Sequence, residues 1–517
     1  MRLADYFDAA AERFPDRVAI IEDELSIDFA QAQRFAHAVA HALDREPGLR
    51  RGAHIAIYSP NHHRVPLLLV AINRSDRVWL SAHTRNPVEM NMEVLAFMDC
   101  EFVFFHSTYE HLVPQLRAGL GKVLRFICID RESEHGTSLD EWIAGCMQPY
   151  RSVMEDSMAT AFIQPTGGTT GPSKAVVQPH RSLEMMVIVG REVARLTPES
   201  RYLAVAPLTH AGGIQALVAL CAGGSVVVMN ITAPEQVLDA IGRWRVTHLF
   251  VPPTLLYMMS NAMHARPCDV SSLRHLVTGA APCAPEKIKE ATRLFGPVVA
   301  EGYGLSECGM PLIYKQPEDY IRQDGGFDEV ALAAAGRATS CARVEIMDED
   351  GNLVPNGTRG EIVVQSSMVM LRYYKNPQDT EEVSRFGWRH TGDVGVKDER
   401  GFITIVDRLK DMIVTGGFNV FPAQIEAVIL EDDAVLQCAV VGVPDDKWGE
   451  AVKAVVELKP GKTVSAEALM ARCRERLGSV HAPKSVEFWP ELPSSAVGKM
   501  LRREVRAKFW NGEWRAV

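Results

Sequence analysis

Apolar and polar positions alternate in blocks through the middle of the chain. Residues 202–207 form a short apolar run, 213–222 carry small and apolar residues at helical spacing, and 225–229 are again continuously apolar. The series continues with a predicted helix over 234–244, where Pro234 suits the first turn, and a strand over 249–251. A helix over 254–263, a strand over 276–279, a helix over 285–294 and a strand over 297–300 complete it. Near-continuous apolar strands separated by helices of about ten to fifteen residues predict parallel α/β units. In such sheets ligands bind beyond the carboxyl ends of the strands. Those ends carry PLTHAGG (207–213), VPPT (251–254), TGAAP (278–282) and EGYGLSE (301–307), all rich in Gly, Pro and small polar residues.

Beyond residue 330 the texture changes. Residues 344–347, a DEDGN turn and 360–364 read as antiparallel hairpins, a small β-barrel-like part. After Arg408-Leu409-Lys410 the pattern becomes α+β: a helix over 423–430, strands near 435–443 and 451–458, a helix over 466–477 and a strand near 485–489. The chain therefore reads as an α/β protein, with a large multi-lobed N-terminal region, 1–408, and a small α+β domain, 409–517.

Composition narrows the class. The 517 residues are 47% hydrophobic and 23% charged, enough for a large core, which excludes a disordered, collagen-like or coiled-coil chain. Lys and Arg total 55 against 65 Asp and Glu, a net charge of −10 with no basic cluster, so nucleic acid is not an expected partner. Ten cysteines without a CxxC pair read as reduced thiols, not a zinc site or a disulfide framework. Acidic residues interrupt the N-terminal segment, so no signal peptide is read there. The most apolar stretch, 212–231, contains Gln215 and Gly223-Gly224 and reads as helix, turn and buried strand instead of a membrane span. The expected location is the cytoplasm.

The chemistry concentrates in Pro165-Thr166-Gly167-Gly168-Thr169-Thr170-Gly171-Pro172-Ser173-Lys174. Three glycines let backbone approach a polyanion closely, and the amides, the Thr hydroxyls and Lys174 supply donors for phosphate oxygens. Its flanks, TAFIQ and AVVQ, both read as strands, so the unit is strand–loop–strand. A Walker loop instead needs GxxxxGK[ST] leading into a helix.

This loop resembles the T[SG]GTTGxPKG signature of the adenylate-forming superfamily, which contains acyl-CoA synthetases, peptide-synthetase adenylation domains and beetle luciferases. Further motifs follow in the family's order over nearly the whole chain. EGYGLSE resembles the motif whose aromatic stacks on adenine and whose Glu holds magnesium, here Tyr303 and Glu307. HTGD, 390–393, resembles the motif whose Asp grips the ribose hydroxyls, here Asp393, with Arg408 as the family arginine that also reaches the ribose. DRLKDMIVTGGFNVFPAQIE, from Asp407, resembles the hinge motif. PSSAVGKMLRRE, from Pro493, resembles the motif that supplies the catalytic lysine, here Lys499.

The resemblance implies an ATP-dependent carboxylic acid–CoA ligase using ATP, Mg²⁺ and coenzyme A, with a mobile C-terminal domain. It places Lys499, Glu307 and Thr166 in catalysis, with Glu307 and Thr166 at the metal. It assigns ATP binding to the loop residues Thr166, Gly167, Gly168, Thr169, Thr170, Gly171 and Lys174. To these it adds Gly279, Ala280, Ala281 and Pro282, Glu301, Gly302, Tyr303, Gly304 and Ser306, and Asp393, Arg408 and Lys499. Lys410 matches the hinge position, and Gly416 and Gly417 match the segment beside the pantetheine arm. In the implied reaction a carboxylate attacks the α-phosphorus of ATP, giving acyl-AMP and pyrophosphate, and a thiol then displaces AMP. Gly167, Ser173, Ala175, Ser306, His390 and Arg372-Tyr373 depart from the commonest family residues, and none of these changes removes an essential charge.

PLTHAGG resembles the segment bordering the acyl pocket, to which His210, Ala211, Gly212, Phe250, Gly279, Gly302, Gly309 and Met310 are assigned. His210 is open to three readings: a gate, a group against the carboxylate, or a packed core histidine. No Asp stands where amino-acid-activating relatives pair a substrate ammonium, so a hydrophobic or aromatic acid is expected. With no carrier domain recognisable after the lysine motif, coenzyme A is the expected acceptor. The alternative is a stand-alone ligase that loads a carrier protein. Partners are small molecules, with a homodimer admitted. Two other classes compete: a serine hydrolase, from GLSECG around Ser306, and a non-catalytic nucleotide-binding protein.

Overall fold

The computed structural model describes residues 1–510 apart from 147, 152–155, 167–173, 231–232, 417, 446 and 494–499. The chain forms two compact units. One comprises Met1–Thr166, Ser173–Arg343 and Gln365–Arg389; the other is built mainly from Val344–Val364 and His390–Val517.

The first unit contains two largely parallel sheets. In one, the strands Val18–Glu22, Ser225–Val228, Arg201–Ala204, His248–Val251, His275–Gly279 and Val299–Leu305 lie side by side in that order, all parallel. Leu25–Asp28 closes one side antiparallel; Gly309–Lys315 and Gly336–Ala338 continue the other, also antiparallel. The connecting helices Pro234–Trp244, Pro253–Ala265 and Pro285–Phe295 each start on a proline, which lacks the N–H that the first turn leaves unpaired anyway. The alternating series read from 202 to 300 is thus present, with ends shifted by a few residues. One element differs in kind. EGYGL is not a loop after a strand: it is the second half of the Val299–Leu305 strand, hydrogen-bonded on its far side to Gly309–Lys315.

The second sheet has the order Arg372–Tyr373, Ala175–Pro179, Thr160–Pro165, Val78–Leu80, His54–Tyr58, Phe102–Phe105, Arg125–Cys128, Thr137–Ser138. Its strands from Thr160–Pro165 onward are parallel and mostly buried, while the first two pair antiparallel.

In the second unit, Arg359–Ser366, Arg389–Lys397 and Phe402–Arg408 are neighbouring strands. A further sheet follows, built on the long antiparallel pair Val435–Asp445 and Gly449–Leu458, with Ser485–Phe488 parallel to the latter. Helices Pro422–Leu430 and Ala466–His481 pack a core of Ile425, Ile429, Val440, Val452, Val456 and Leu469 against it. Among the described residues no helix is long and apolar enough to cross a membrane.

Candidate active site

In the first unit, Thr160–Pro165 and Ala175–Pro179 form the expected strand–loop–strand, with Pro165 opposite Ala175. The Thr166 N–H donates to the Lys174 carbonyl at 2.7 Å and closes the mouth of the loop. Gly167, Gly168, Thr169, Thr170 and Gly171, together with Lys499 and Gly417, lie outside the described residues.

At that mouth the side chains form a chain of contacts. Lys174 pairs with Asp379 at 2.6 Å and lies 5.0 Å from the centre of the Tyr373 ring. The Tyr373 hydroxyl donates to Glu307 Oε1 at 2.8 Å. Burial, then the negative charge of Glu307 and its hydrogen bond, push the Tyr373 hydroxyl well above the usual phenol range, so it stays a donor. The Glu307 backbone carbonyl accepts from Met370 N–H, and Gln178 Nε2 donates to the Ser306 carbonyl at 2.7 Å. Arg372–Tyr373 pairs with Ala175–Pro179, so the strand leaving the loop also carries the residue that fixes Glu307. Among the described residues Glu307 makes no ion pair, and its carboxylate is held by a neutral hydroxyl. That donor set fits Mg²⁺, which binds through one or two carboxylates plus substrate phosphates.

Glu301 behaves differently. Its carboxylate pairs with Lys315, whose fully buried ammonium also donates to the carbonyls of Ala331, Leu332 and Ala334. Burial raises the Glu301 carboxyl against the pull of Lys315. Buried charges persist when paired and hydrogen-bonded in this way. The side chain thus braces the strand, and what Glu301 presents to the site is backbone.

The TGAAP segment is tight. A Cβ at Gly279 would stand 2.3 Å from the Gly302 carbonyl oxygen, so the two strands approach as closely as they do only with glycine there. Ala280 follows at φ +68°, a left-handed conformation uncommon outside glycine, which turns the chain toward Ala281 and Pro282. Strained residues cluster where surrounding structure over-determines them, often at ligand sites.

PLTHAGG leads into the Ala211–Cys221 helix. A Cβ at Gly212 would meet the carbonyl oxygens of Ala206 and Pro207 at 2.7 Å. Asn61 ties this segment down: its amide donates to the Ala204, Ala206 and Met229 carbonyls and accepts from Leu208 N–H. His210 contacts Gln164 at 2.9 Å through Nε2, and its ring centre lies 4.5 Å from that of His83, the two planes tilted by 42°. Burial, then His83, push His210 down to about 3, so it is a neutral hydrogen-bonding group at physiological pH. Phe250 is half-buried, with its ring edge 3.6 Å from where a Gly279 Cβ would be; Gly309 backs onto Met368 and Met186.

In the second unit, Asp393 and Arg408 stand opposite each other in paired strands and form an ion pair at 3.0 Å. Asp393 is buried, whereas Arg408 is 41% exposed at the side chain. His390 bonds Glu361 at 2.7 Å, and Glu361 also accepts from Gly392 N–H, which fixes the turn before Asp393. Lys410 lies in the short helical turn Leu409–Asp411. Gly416 has φ +56°, and its Cβ would fall 2.6 Å from the Trp448 ring.

Residues 7–374 match the family model described as AMP-binding enzyme, and 424–499 match that of the AMP-binding enzyme C-terminal domain. The chain belongs to the AMP-binding enzyme family. It is 32% identical to a feruloyl-CoA synthase from Amycolatopsis, over 96% of this chain and 97% of that one. A medium/long-chain-fatty-acid–CoA ligase from Mycobacterium tuberculosis is 39% identical over 68% of this chain and 62% of its own. An amide bond synthetase from Marinactinospora thermotolerans superposes with a TM-score of 0.88 at 30% identity, covering 98% of this chain and 100% of that one. Within this AMP-binding enzyme, Lys315, His83 and Asn61 hold Glu301, His210 and Leu208 without any motif announcing them, whereas Tyr373 shows in the sequence only as a departure from the family pattern and Gln164 only as the end of a loop flank.

Proposed function

We propose that this enzyme activates a hydrophobic or aromatic carboxylic acid, with the residue roles that follow. The reaction class is that of its relatives: ATP-dependent, AMP-forming ligation of an acid to coenzyme A. Loading of a carrier protein is not favoured, because those relatives carry coenzyme A in their names. The observation that carries the reading is the Lys174–Tyr373–Glu307 arrangement at the mouth of the glycine–threonine loop. It offers a fixed carboxylate beside a set of phosphate donors.

Thr166 and the loop through Gly171, with Lys174, orient the phosphates; Glu307 and Thr166 hold Mg²⁺, which when bound cancels phosphate charge. Gly279 to Pro282 and Gly302 to Gly304 shape the nucleotide floor, with Tyr303 as the stacking face. Asp393 and Arg408 receive the ribose hydroxyls. Two anions must meet when the carboxylate attacks the α-phosphorus, so fixed donors aimed at the developing charge lower the barrier without any protein nucleophile. Lys499 adds the cation for that step. Lys410 is the hinge, the mobile domain is 409–517, and Gly416 with Gly417 borders the incoming thiol. Neutral His210, backed by His83 and Gln164, lines the acyl side with Phe250, Gly309 and Met310. A wall without fixed charge supports an uncharged acyl tail. All ten cysteines are free thiols, which supports a reducing, cytoplasmic setting.

The test is AMP and pyrophosphate release with Mg-ATP across fatty, aryl and aryl-alkanoic acids, with and without coenzyme A. CoA-dependent AMP release with one acid class, lost in Lys499→Ala, is the expected result. Turnover of charged or α-amino acids in preference to these would overturn the substrate assignment.

A further inference from the structure

A second cluster of chemically active side chains lies in the first unit. The second sheet reverses its strand order at His54–Tyr58: the chain passes to Val78–Leu80 on one side and then to Phe102–Phe105 on the other. Such a reversal opens a crevice beyond the carboxyl ends of the two strands, where α/β sheets bind ligands. His62 and His63 follow the first of these strands, and His106 directly follows the second. Glu22, the last residue of Val18–Glu22, joins them from the other sheet.

The geometry is close. His63 Nδ1 is 2.5 Å and His62 Nε2 is 4.0 Å from Glu22 Oε2, and the two imidazole rings are 4.0 Å apart. One ligand atom from each of the three residues lies within 4.8 Å of the others. We propose that Glu22, His62 and His63 form a divalent transition-metal site of the zinc type, with a fourth position open. Two imidazoles and one carboxylate are the donor set of open zinc sites; tetrahedral bonds of about 2.0–2.2 Å would widen the His63–Glu22 contact and close the His62–Glu22 one.

Neighbouring groups support the assignment. The His62 ring lies between His63 and His106, whose ring centres are 4.0 and 5.1 Å from its own. Its Nδ1 contacts Arg64 N–H at a long 3.4 Å, a contact that coordination through Nε2 would give up when the ring changes tautomer. His106 is already committed, taking Thr108 N–H on Nδ1 and facing Asp130 at 3.5 Å through Nε2, so it forms a wall instead of a ligand. Arg64 is held by Asp140 and the Ile129 carbonyl, and its positive charge still acts on His62. Asn61, which holds the 204–208 segment, is the residue next to His62.

The experiment is zinc titration of untagged, chelator-treated protein in competition with a fluorescent zinc indicator, with Co²⁺ absorption reporting geometry. The expected result is one equivalent per chain, a tetrahedral Co²⁺ spectrum and a zinc-dependent rise in unfolding temperature. Affinity should fall by more than about tenfold in the His62→Asn/His63→Asn double variant and in Glu22→Gln, with both folded in the metal-free state. Equal zinc binding in both variants would put the ion elsewhere, and no stoichiometric binding by the unaltered protein would leave a hydrogen-bonded trio; either result overturns the proposal.

Discussion

Glu307 owes its orientation to one hydroxyl from Tyr373, 66 residues further along the chain. A hydrogen bond to a charged group is worth about 1.5–3 kcal/mol, so Tyr373→Phe should slow AMP release by about ten- to a hundredfold while the fold persists. The loss should shrink as Mg²⁺ is raised, because the weakened carboxylate is then saturated. Rates measured against Mg²⁺ concentration check this, and an unchanged Mg²⁺ dependence would remove Tyr373 from the metal's support. The residues proposed to meet substrate can be named from the sequence because their motifs are local: a loop, a turn, a strand end. Tyr373 was visible only as a departure from the family pattern, since nothing in the linear chain shows which distant carboxylate it reaches. The same holds for Lys315, whose partner Glu301 and three carbonyl acceptors become neighbours only when the strands pair.

At the scale of elements, the strands and helices between 202 and 300 are legible because proline starts and continuous apolar runs mark them locally. The extension of the last parallel strand through EGYGL is not. Glycine-rich sequence reads as a turn, and the partners that keep it extended, Thr278-Gly279 on one side and Gly309–Lys315 on the other, are distant in the linear chain. The parallel pairing of Gly279 with Gly302 makes Gly279→Ala a severe change: its Cβ would stand 2.3 Å from the Gly302 carbonyl oxygen and force the strands apart. An unfolding temperature several degrees lower, with nucleotide affinity reduced, is the expected outcome; unaltered melting would show that the strands yield easily.

A second prediction at this scale concerns pH. Burial, resisted by Arg502 and by the N–H groups of Ala423 and Arg408, raises the Asp407 carboxyl from 3.8 to about 6. A carboxyl raised on folding gives stability that is complete below about 3.8 and is lost as pH rises through about 6. The difference in stability between the unaltered protein and Asp407→Asn should therefore drift toward the variant between pH 4 and 7, by on the order of 3 kcal/mol at most. Urea unfolding of both proteins across that range tests the sign, and parallel curves would refute it.

For the whole molecule, the two half-reactions should separate at Lys410. Fixing the backbone with Lys410→Pro should spare acid-dependent pyrophosphate release and cut CoA-dependent thioester formation by about tenfold or more. Equal loss of both steps would deny Lys410 its hinge role. Because all ten cysteines are free, unfolding temperature should be the same with and without reductant.

The Lys315 ammonium, with no exposed surface and four oxygen partners, also has a use as a clock. An amine-acylating reagent reaches Lys174 on the folded chain, whose side chain is 28% exposed, but reaches Lys315 only when the sheet around it opens. The rate at which Lys315 becomes acylated therefore reports how often the strand bearing the nucleotide motif comes apart, and bound substrates that stabilise that strand should lengthen the interval.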